Sequence, residues 1–298
     1  MGNPHILHMI TPLKHMSPFD VNMALDAGFD AVIPYTQVTL EEVRGLVQDA
    51  IFSRSPADAS RTGLFIAGKN ASLALDMAEA AEEAMVGPFR LSIFADPAGS
   101  FTTAAAMVAI VEAELKSRHG RSLKDAKIAI FGATGVVGTS SGVIAALEGA
   151  DVTLVGYDGP TRVGRLADEI KIRFGAPALG ADGSSAEKKR AVVAEADVVF
   201  CAAAAGVQVL SAADLAAAPN LLVAADVNAV PPAGIEGLAI DARGAPIPGS
   251  KAVGVGPLAI GDVKYKTESG LFKRMIASDE VLNLDFRDAF ALAREIVG

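Results

Sequence analysis

The chain has 298 residues, of which 51% are hydrophobic and none is Trp, and its formal net charge is −9 at pH 7. This length is enough for two domains with cores of their own, and an acidic balance without a basic block argues against nucleic-acid binding. A single cysteine, Cys201, excludes an internal disulfide and fits a reducing cytoplasm; its apolar surroundings predict a buried thiol.

The first hundred residues alternate between strand-like and helix-like segments. Ser17 is a candidate N-cap of the first helix, and Thr39 with Glu42 forms a candidate capping box at the second. The alternation predicts a small parallel sheet. Strands are predicted at 5–10, 30–34, 62–67 and 91–95, and helices at 18–27, 39–51 and 70–85.

A long helix over 101–119, ending at Gly120, is predicted to connect this region to a second α/β domain. Residues 231–257 are rich in Gly and Pro and predict a long irregular loop region, and the tail at 258–298 is mostly helical in pattern. In the second domain, strands are predicted from 127, at 151–155, 198–202 and 221–225 and more weakly near 239–240, with a helix at 136–147.

The most specific local signal is K-I-A-I-F-G-A-T-G-V-V-G at 127–138. An apolar run stops at Gly132, and Gly135 and Gly138 follow at a spacing of three, which is typical of the strand, turn and helix start that hold a dinucleotide pyrophosphate. Gly132 would make the turn, Gly135 would let the backbone approach the phosphates, and Gly138 would let the helix pack close to the strand. The alternative is a glycine-rich turn that binds nothing.

The residues after the second strand of this unit should contact the adenosine ribose. Gly156 stands where an acid would select NAD, and Asp158 follows two positions later. Arg162 and Arg165 could pair with a 2′-phosphate, or could lie on a solvated helix face, so NAD and NADP both stay open. The candidate cofactor-binding residues are Gly132, Thr134, Gly135, Val136, Val137, Gly138, Tyr157, Asp158, Arg162, Ala203 and Asn228.

Three polar loops, 11–20, 96–103 and 226–234, each follow a predicted strand. Ligands of open α/β sheets bind beyond the carboxyl ends of the strands, so these loops could form a cleft. For the second loop, ordinary capping by Ser100 or Thr102 is the alternative. The histidines near the N-terminus are spaced poorly for metal ligation, and we expect no metal site.

The predicted fold class is α/β, with an N-terminal parallel α/β domain and a Rossmann-like nucleotide-binding domain, and an active-site cleft between them. The first domain would cover 1–103 and bind the substrate, with the C-terminal helices at 265–298 packing back on it, and the second would cover 104–264. An uncharged run at 128–147 has the length of a membrane span, but a strand, glycine turn and helix explain it better.

These loops and the glycine turn resemble the methylene-tetrahydromethanopterin dehydrogenases of methylotrophic bacteria. The likeness is greatest to the branch that accepts both NAD and NADP, because the strictly NADP-dependent branch has basic residues where this chain has Gly156, Tyr157 and Asp158. The matching segments are 11–20, 49–54, 94–103, 131–138, 226–235 and 256–264.

The resemblance implies an oxidoreductase that transfers a hydride from methylene-tetrahydromethanopterin to NAD or NADP, giving methenyl-tetrahydromethanopterin in one-carbon (formaldehyde) oxidation. No proton moves in this step, so the protein has to position two rings and stabilise positive charge. The resemblance implies catalytic roles for Lys264, Asp96 and Asp20, although spacing alone favours a surface helix for Lys264. The candidate substrate-binding residues are Lys14, Ser100, Thr102 and Asn228.

Two alternatives stay open: methylene-tetrahydrofolate as the substrate, and a non-catalytic NAD(P)-binding sensor. The expected protein is a cytoplasmic homo-oligomer that acts on a small-molecule pterin, with no nucleic-acid or membrane partner.

Overall fold

The computed structural model describes residues 3–298, which divide into two compact units. The first unit comprises the described residues up to Thr102 together with Tyr265–Leu292, and the second comprises Thr103–Lys264 and Ala293–Gly298. The strands are β1 (Ile6–Thr11), β2 (Ala31–Thr36), β3 (Thr62–Ile66), β4 (Ser92–Ala95), β5 (Lys127–Phe131), β6 (Asp151–Gly156), β7 (Ala178–Asp182), β8 (Val198–Cys201), β9 (Val223–Asp226), β10 (Arg243–Pro246), β11 (Val253–Val255) and β12 (Asn283–Leu284). The α-helices are α1 (Pro18–Ala27), α2 (Leu40–Phe52), α3 (Ala71–Glu83), α4 (Ser100–His119), α5 (Val136–Leu147), α6 (Pro160–Phe174), α7 (Ala186–Glu195), α8 (Ala212–Ala216), α9 (Pro257–Ala277) and α10 (Phe286–Val297).

The first unit is built on a five-stranded sheet in the order β12-β4-β3-β1-β2, with every neighbouring pair parallel. This confirms the small parallel sheet predicted from sequence and adds a fifth strand, β12, from the C-terminal tail. The prediction missed β12 because two residues carry no periodic pattern. The doubly wound order places a crevice between β1 and β3, beyond their carboxyl ends.

Helix ends in this unit follow the local signals. The Ser17 hydroxyl accepts a hydrogen bond from the Asp20 amide at 3.4 Å, and α1 ends at Gly28 in the left-handed region at a φ of 113°. Thr39 and Glu42 form the predicted capping box of α2. The core is aromatic: the Phe272 ring of α9 lies 5.4 Å from Phe65 and 5.1 Å from Phe94, measured between ring centroids.

The second unit is built on a seven-stranded sheet in the order β10-β11-β9-β8-β5-β6-β7. Only β10 runs antiparallel to its neighbour. From β7 through β6, β5, β8 and β9 to β11, the strands lie in the order of dinucleotide-binding domains, which confirms the Rossmann-like prediction.

Three details of this sheet differ from the sequence prediction. The weak strand expected near 239–240 is wrong, since those residues form no strand. The stretch predicted as irregular, 231–257, contains β10 and β11. β7 was not predicted because it is a sheet-edge strand with the sequence A-L-G-A-D, which has neither β-branched residues nor a buried alternating face.

The long apolar segments lie inside the protein. Residues 128–147 form β5, the glycine turn and α5, as predicted. One helix among the described residues, 97–119, is long and apolar enough to cross a membrane by length and composition. Of its apolar window, 72% is buried within the protein, as in the core helix of a globular domain.

A bidentate ion pair fixes the beginning of β5. Arg121 donates from Nη1 and Nη2 to the two carboxylate oxygens of Asp197, each at 2.8 Å, and the Lys127 amide donates to Asp197 Oδ2 at 2.9 Å. The hydrogen bonds from Arg121 lower the pKa of Asp197 below its ordinary value. The pair therefore ties the segment before β5 to the segment before β8.

We expect Asp197→Asn to lower the free energy of unfolding at neutral pH by about 1–2 kcal/mol, because charge-assisted bonds to a mostly buried carboxylate are lost. Since the folded-state pKa is the lower one, this contribution is present above the ordinary carboxyl pKa and is lost as pH falls through the folded-state pKa. Urea unfolding of both proteins across a neutral-to-acid series checks this. A difference between them that stays constant with pH would contradict it.

Candidate cofactor site and polar strand-end loops

A cavity of about 660 Å³ lies in the second unit, beyond the carboxyl ends of β5, β6, β7 and β8. In a doubly wound sheet this is the position at which a dinucleotide binds. The predicted cofactor residues Thr134, Tyr157, Asp158 and Ala203 all line it. The lining consists of residues 131–135, 155–158, 163, 183–186, 189, 202–204 and 207–209.

The glycine turn has no room for side chains at two of its three glycines. Gly132 adopts a φ of +75°, and a methyl group there would overlap the Ala202 carbonyl and lie 2.6 Å from the Ala203 nitrogen. A methyl group at Gly138 would overlap the Gly132 carbonyl and lie 2.9 Å from Ala133 Cα, so its nearest atoms belong to the turn itself rather than to the strand. The turn therefore folds back on itself and against the loop after β8.

The first turn of α5 presents backbone amides at this turn. Its N-cap is Gly135, which has no side chain to occupy those amides, and Val136, Val137 and Gly138 follow it as the first helical residues. A methyl group at Gly135 would lie 3.3 Å from the Gly132 carbonyl oxygen. An open helix N-terminus of this kind favours an anion such as a pyrophosphate.

Arg162 connects the glycine turn to the end of β6. Its Nη1 donates to Asp158 Oδ2 at 3.0 Å and to the Tyr157 hydroxyl at 3.4 Å, and its Nη2 donates to Thr134 Oγ1 at 3.2 Å. The arginine and aspartate side chains are 51% and 38% exposed. These three partners all line the cavity, so the guanidinium lies at its rim.

The loop after β7 and the start of α7 form a wall of the cavity that the sequence did not reveal. Ser185 caps α7 by accepting a hydrogen bond from the Lys188 amide at 3.2 Å. Lys189 lines the cavity and donates from Nζ to the Val209 carbonyl at 2.6 Å. The local signal for this wall was G-S-S at 183–185 before a helical run, but β7 itself was not recognised.

The loop after β9 is held by side-chain hydrogen bonds. Asn228 Oδ1 accepts from the amides of Gly206 at 3.2 Å and Val230 at 2.9 Å, and its Nδ2 donates to the Pro232 carbonyl at 2.9 Å. Asn228 lines a separate cavity of about 260 Å³ and does not line the larger one. Its amide group therefore joins the loops after β8 and β9.

Asp226, which the sequence prediction did not select, supports the same loop. Its Oδ1 accepts from the Asn228 amide at 3.0 Å and its Oδ2 from the Ile235 amide at 3.2 Å, and burial raises its pKa. Neighbouring Cys201 is fully buried, and burial raises the pKa of its thiol to about 12. This confirms the buried thiol predicted from sequence.

In the first unit, the candidate substrate residues lie at the carboxyl edge of the sheet. Asp96 follows β4 and is fully buried; its Oδ1 accepts from the amides of Phe101 at 2.8 Å and Thr102 at 3.3 Å. The Thr102 hydroxyl donates to Asp96 Oδ2 at 2.6 Å. This is capping of α4, the alternative stated from sequence, with Asp96 rather than Ser100 or Thr102 as the acceptor. Ser100 is buried beside it.

The remaining candidates lie on three elements. Asp20 is buried in the first turn of α1, directly after the loop that follows β1, and Lys14 is exposed in that loop. Lys264 is half-buried in α9 and is the residue at which that helix passes from the second unit to the first. The loops after β1 and β3 approach each other, since a methyl group at Gly68 would lie 3.4 Å from Pro12 Cδ.

Comparison with known proteins places this arrangement in a family. A family model described as "Methylene-tetrahydromethanopterin dehydrogenase, N-terminal" matches residues 18–98. The NAD(P)-dependent methylenetetrahydromethanopterin dehydrogenase of Methylorubrum extorquens is 57% identical over 293 residues, covering 98% of this chain and 99% of that protein. The bifunctional protein MdtA of the same organism is 32% identical over 280 residues, covering 94% of each.

Among solved structures, shikimate 5-dehydrogenase from Listeria monocytogenes, in complex with shikimate and NAD, superposes with a TM-score of 0.54 at 16% identity. The superposition covers 100% of this chain and 98% of that chain, which shows a shared fold. The first Methylorubrum protein is 57% identical over nearly the whole of both chains, and this identity shows a shared family as well as a shared fold. The chain belongs to the methylenetetrahydromethanopterin dehydrogenase family.

Proposed function

We propose that this protein is an NAD(P)-dependent methylene-tetrahydromethanopterin dehydrogenase. It oxidises methylene-tetrahydromethanopterin to methenyl-tetrahydromethanopterin in one-carbon metabolism. The observation that carries the proposal is the 57% identity, over 98% of the chain, to a relative that bears this name. The strand-end loops that matched the family by motif lie at the carboxyl edges of two doubly wound sheets, where ligands of such sheets bind.

The second unit fits a nicotinamide dinucleotide. Gly132 and Gly138 leave no space for side chains in the turn, and the cap of α5 at Gly135 leaves helix amides open to a pyrophosphate. The cavity of about 660 Å³ beside the turn is of the size that accommodates a cofactor. Ala202 and Ala203 line this cavity on the β8 side, and their backbone lies against Gly132.

A bound nicotinamide would supply the hydride acceptor: the methylene C–H bond of the pterin would break, the hydrogen and both electrons would pass to ring C4, and a methenyl amidinium cation would remain on the pterin. The chain's own residues then have two tasks, which are to hold the pterin and to balance its positive charge. Asp20, in the first turn of α1, and Asp96, directly after β4, are both buried carboxylates. We assign them to charge balance, because a buried carboxylate acts over longer distances than a solvated one.

Asp96 also acts as a positioning residue. Its bonds to the Phe101 and Thr102 amides and to the Thr102 hydroxyl fix the beginning of α4, where Ser100 is also held. We assign Ser100 to a polar contact with the pterin, Lys14 to the pterin side chain, and Asn228 to the nicotinamide end of the cofactor. Thr102 was the other candidate for a pterin contact, but it is fully buried and its hydroxyl donates to Asp96, so we assign it to positioning Asp96. Lys264 is assigned to a pterin carbonyl or ring nitrogen.

The purified protein, mixed with methylene-tetrahydromethanopterin and NAD or NADP, is expected to raise absorbance in the reduced-nicotinamide band. The same assay with methylene-tetrahydrofolate serves as the comparison, and the ratio of kcat/KM values between the two pterins identifies the substrate. Cofactor binding without turnover on either pterin would contradict a dehydrogenase and favour an NAD(P) sensor. A cytoplasmic location is proposed on the single buried thiol.

A further inference from the structure

Resting on the proposed function, we infer that the Asp158–Arg162 ion pair lets one ribose site accept both a free 2′-hydroxyl and a 2′-phosphate, and so both NAD and NADP. Asp158 is the acceptor for the hydroxyl, and Arg162 is the partner for the phosphate. The pair is a specificity-determining element at the rim of the cofactor cavity, formed by residues four positions apart.

The turn after β6 explains why no acid stands directly at the strand end. A methyl group at Gly156 would overlap the Gly159 carbonyl and lie 3.2 Å from Val163 Cγ2. Any side chain there would open the turn, so a carboxylate cannot be held at the position that normally excludes a 2′-phosphate. The first available acid is Asp158, which is displaced toward α6 and toward Arg162.

The same turn places Arg162 near the ribose. Gly159 adopts a φ of +107°, Pro160 begins α6, and Arg162 lies in the first turn of that helix. Its guanidinium contacts Asp158 at 3.0 Å on one side and Thr134 of the glycine turn at 3.2 Å on the other. The charge therefore lies between the residues that should hold the pyrophosphate and those that should hold the ribose.

Electrostatics allow the pair to change partners. In the cofactor-free protein, each charge largely cancels the other, so neither a neutral hydroxyl nor a phosphate meets a strong opposing field. A ribose 2′-hydroxyl donates to Asp158 while Arg162 stays paired. A 2′-phosphate binds the Arg162 guanidinium in place of Asp158, because the planar N–H groups match the phosphate oxygens. Breaking the Asp158–Arg162 ion pair costs little folding free energy, since both side chains are exposed.

Two ligands that differ only in the phosphate isolate this contact: ADP-ribose and 2′-phospho-ADP-ribose. Calorimetric titration of the full chain measures both affinities without hydride transfer. For Arg162→Gln we expect a loss of about 10- to 100-fold for the phosphorylated ligand, since charge-assisted bonds are removed, and less than about 3-fold for ADP-ribose. Retained ADP-ribose binding also shows that the variant is folded.

Asp158→Asn is the reciprocal variant. It is expected to tighten binding of 2′-phospho-ADP-ribose by about 3- to 10-fold, because the negative charge that repels the phosphate is removed. It is expected to weaken binding of ADP-ribose by about 3-fold, because the charged acceptor of the 2′-hydroxyl is lost. Lys171→Gln is the matched control: Lys171 is exposed in the last turn of the same helix, and its loss should leave the ratio of the two affinities within about 2-fold of the original.

The possible outcomes distinguish a failure of this inference from a failure of the proposed function. If the wild-type protein binds both ligands but Arg162→Gln weakens them equally or not at all, the ion pair does not select and the inference is wrong. If the wild type binds ADP-ribose but not its 2′-phosphate, dual acceptance is wrong. If it binds neither, the dinucleotide site itself, and with it the proposed function, is overturned.

Discussion

Replacing Gly132 with alanine is expected to weaken NAD and NADP binding by at least about 100-fold, because the new methyl group displaces the backbone on which the pyrophosphate site is built. The φ of +75° at this residue strains any side chain. The methyl group would also overlap the Ala202 carbonyl, which belongs to backbone that has no rotamer through which to yield. The turn and the loop after β8 would have to separate.

Calorimetric titration with NAD and NADP, alongside thermal unfolding, checks this result. Gly164→Ala is the matched control, since a methyl group there meets no atom within 4 Å and lies inside α6. Alanine should preserve binding and stabilise the helix by roughly 0.5–1 kcal/mol. If Gly132→Ala does not fold, Gly135→Ala tests the same site, because its nearest contact, at 3.3 Å from the Gly132 oxygen, requires a backbone shift of only a few tenths of an ångström. Wild-type affinity in both variants would contradict the assignment of the turn to phosphate binding.

The second large effect is expected for Lys264→Ala, with kcat lowered by about 100- to 1,000-fold and cofactor affinity changed by less than about 3-fold. A polar group that positions the pterin against the hydride acceptor contributes mainly in the transition state, so its loss appears in kcat. Lys264 is half-buried in α9 and does not line the dinucleotide cavity. Cofactor binding should therefore survive its removal.

Single-turnover kinetics and cofactor titration measure the two quantities separately. Lys266→Ala is the matched control, because Lys266 is exposed on the same helix two residues later, and it should stay within about 2-fold of the original kcat. Lys264→Arg should recover part of the rate if charge and hydrogen bonding are what matter. An unchanged kcat in Lys264→Ala, or a loss confined to cofactor affinity, would remove Lys264 from the hydride-transfer site.

Local sequence signals predicted helix and strand bounds well where the conformation of a few neighbouring residues sets those bounds. The bounds of α1 and α5 are those expected from the Ser17 cap and the glycine turn, because an N-cap and a positive φ act within a few residues. The elements missed were short or patternless: β7 at an exposed sheet edge, and β12, whose two residues pair with β4 from a distant part of the chain. Strand pairing across such separations leaves no local periodicity to detect.

The candidate site residues also divide into those that local sequence indicates and those that only the folded structure reveals. Sequence selected Asp96 as a polar residue at a strand end, but only the folded backbone shows that its carboxylate accepts the α4 amides. Asp226 and Lys189 were overlooked because a single acid after an apolar strand and a lysine in a charged helix are common patterns. Their positions beside the loops after β8 and β9 follow from sheet order, which the sequence does not state directly.

By itself the sequence determined the two-part α/β organisation, the glycine turn and the family, because these depend on short-range sterics and on long matching segments. The tertiary structure alone decided which partners the charged groups take. Arg162 meets Thr134, 28 residues away, only because β5 and β6 lie side by side and end at the same edge of the sheet. Such contacts depend on the distance between elements after folding, whereas residue patterns report only distance along the chain.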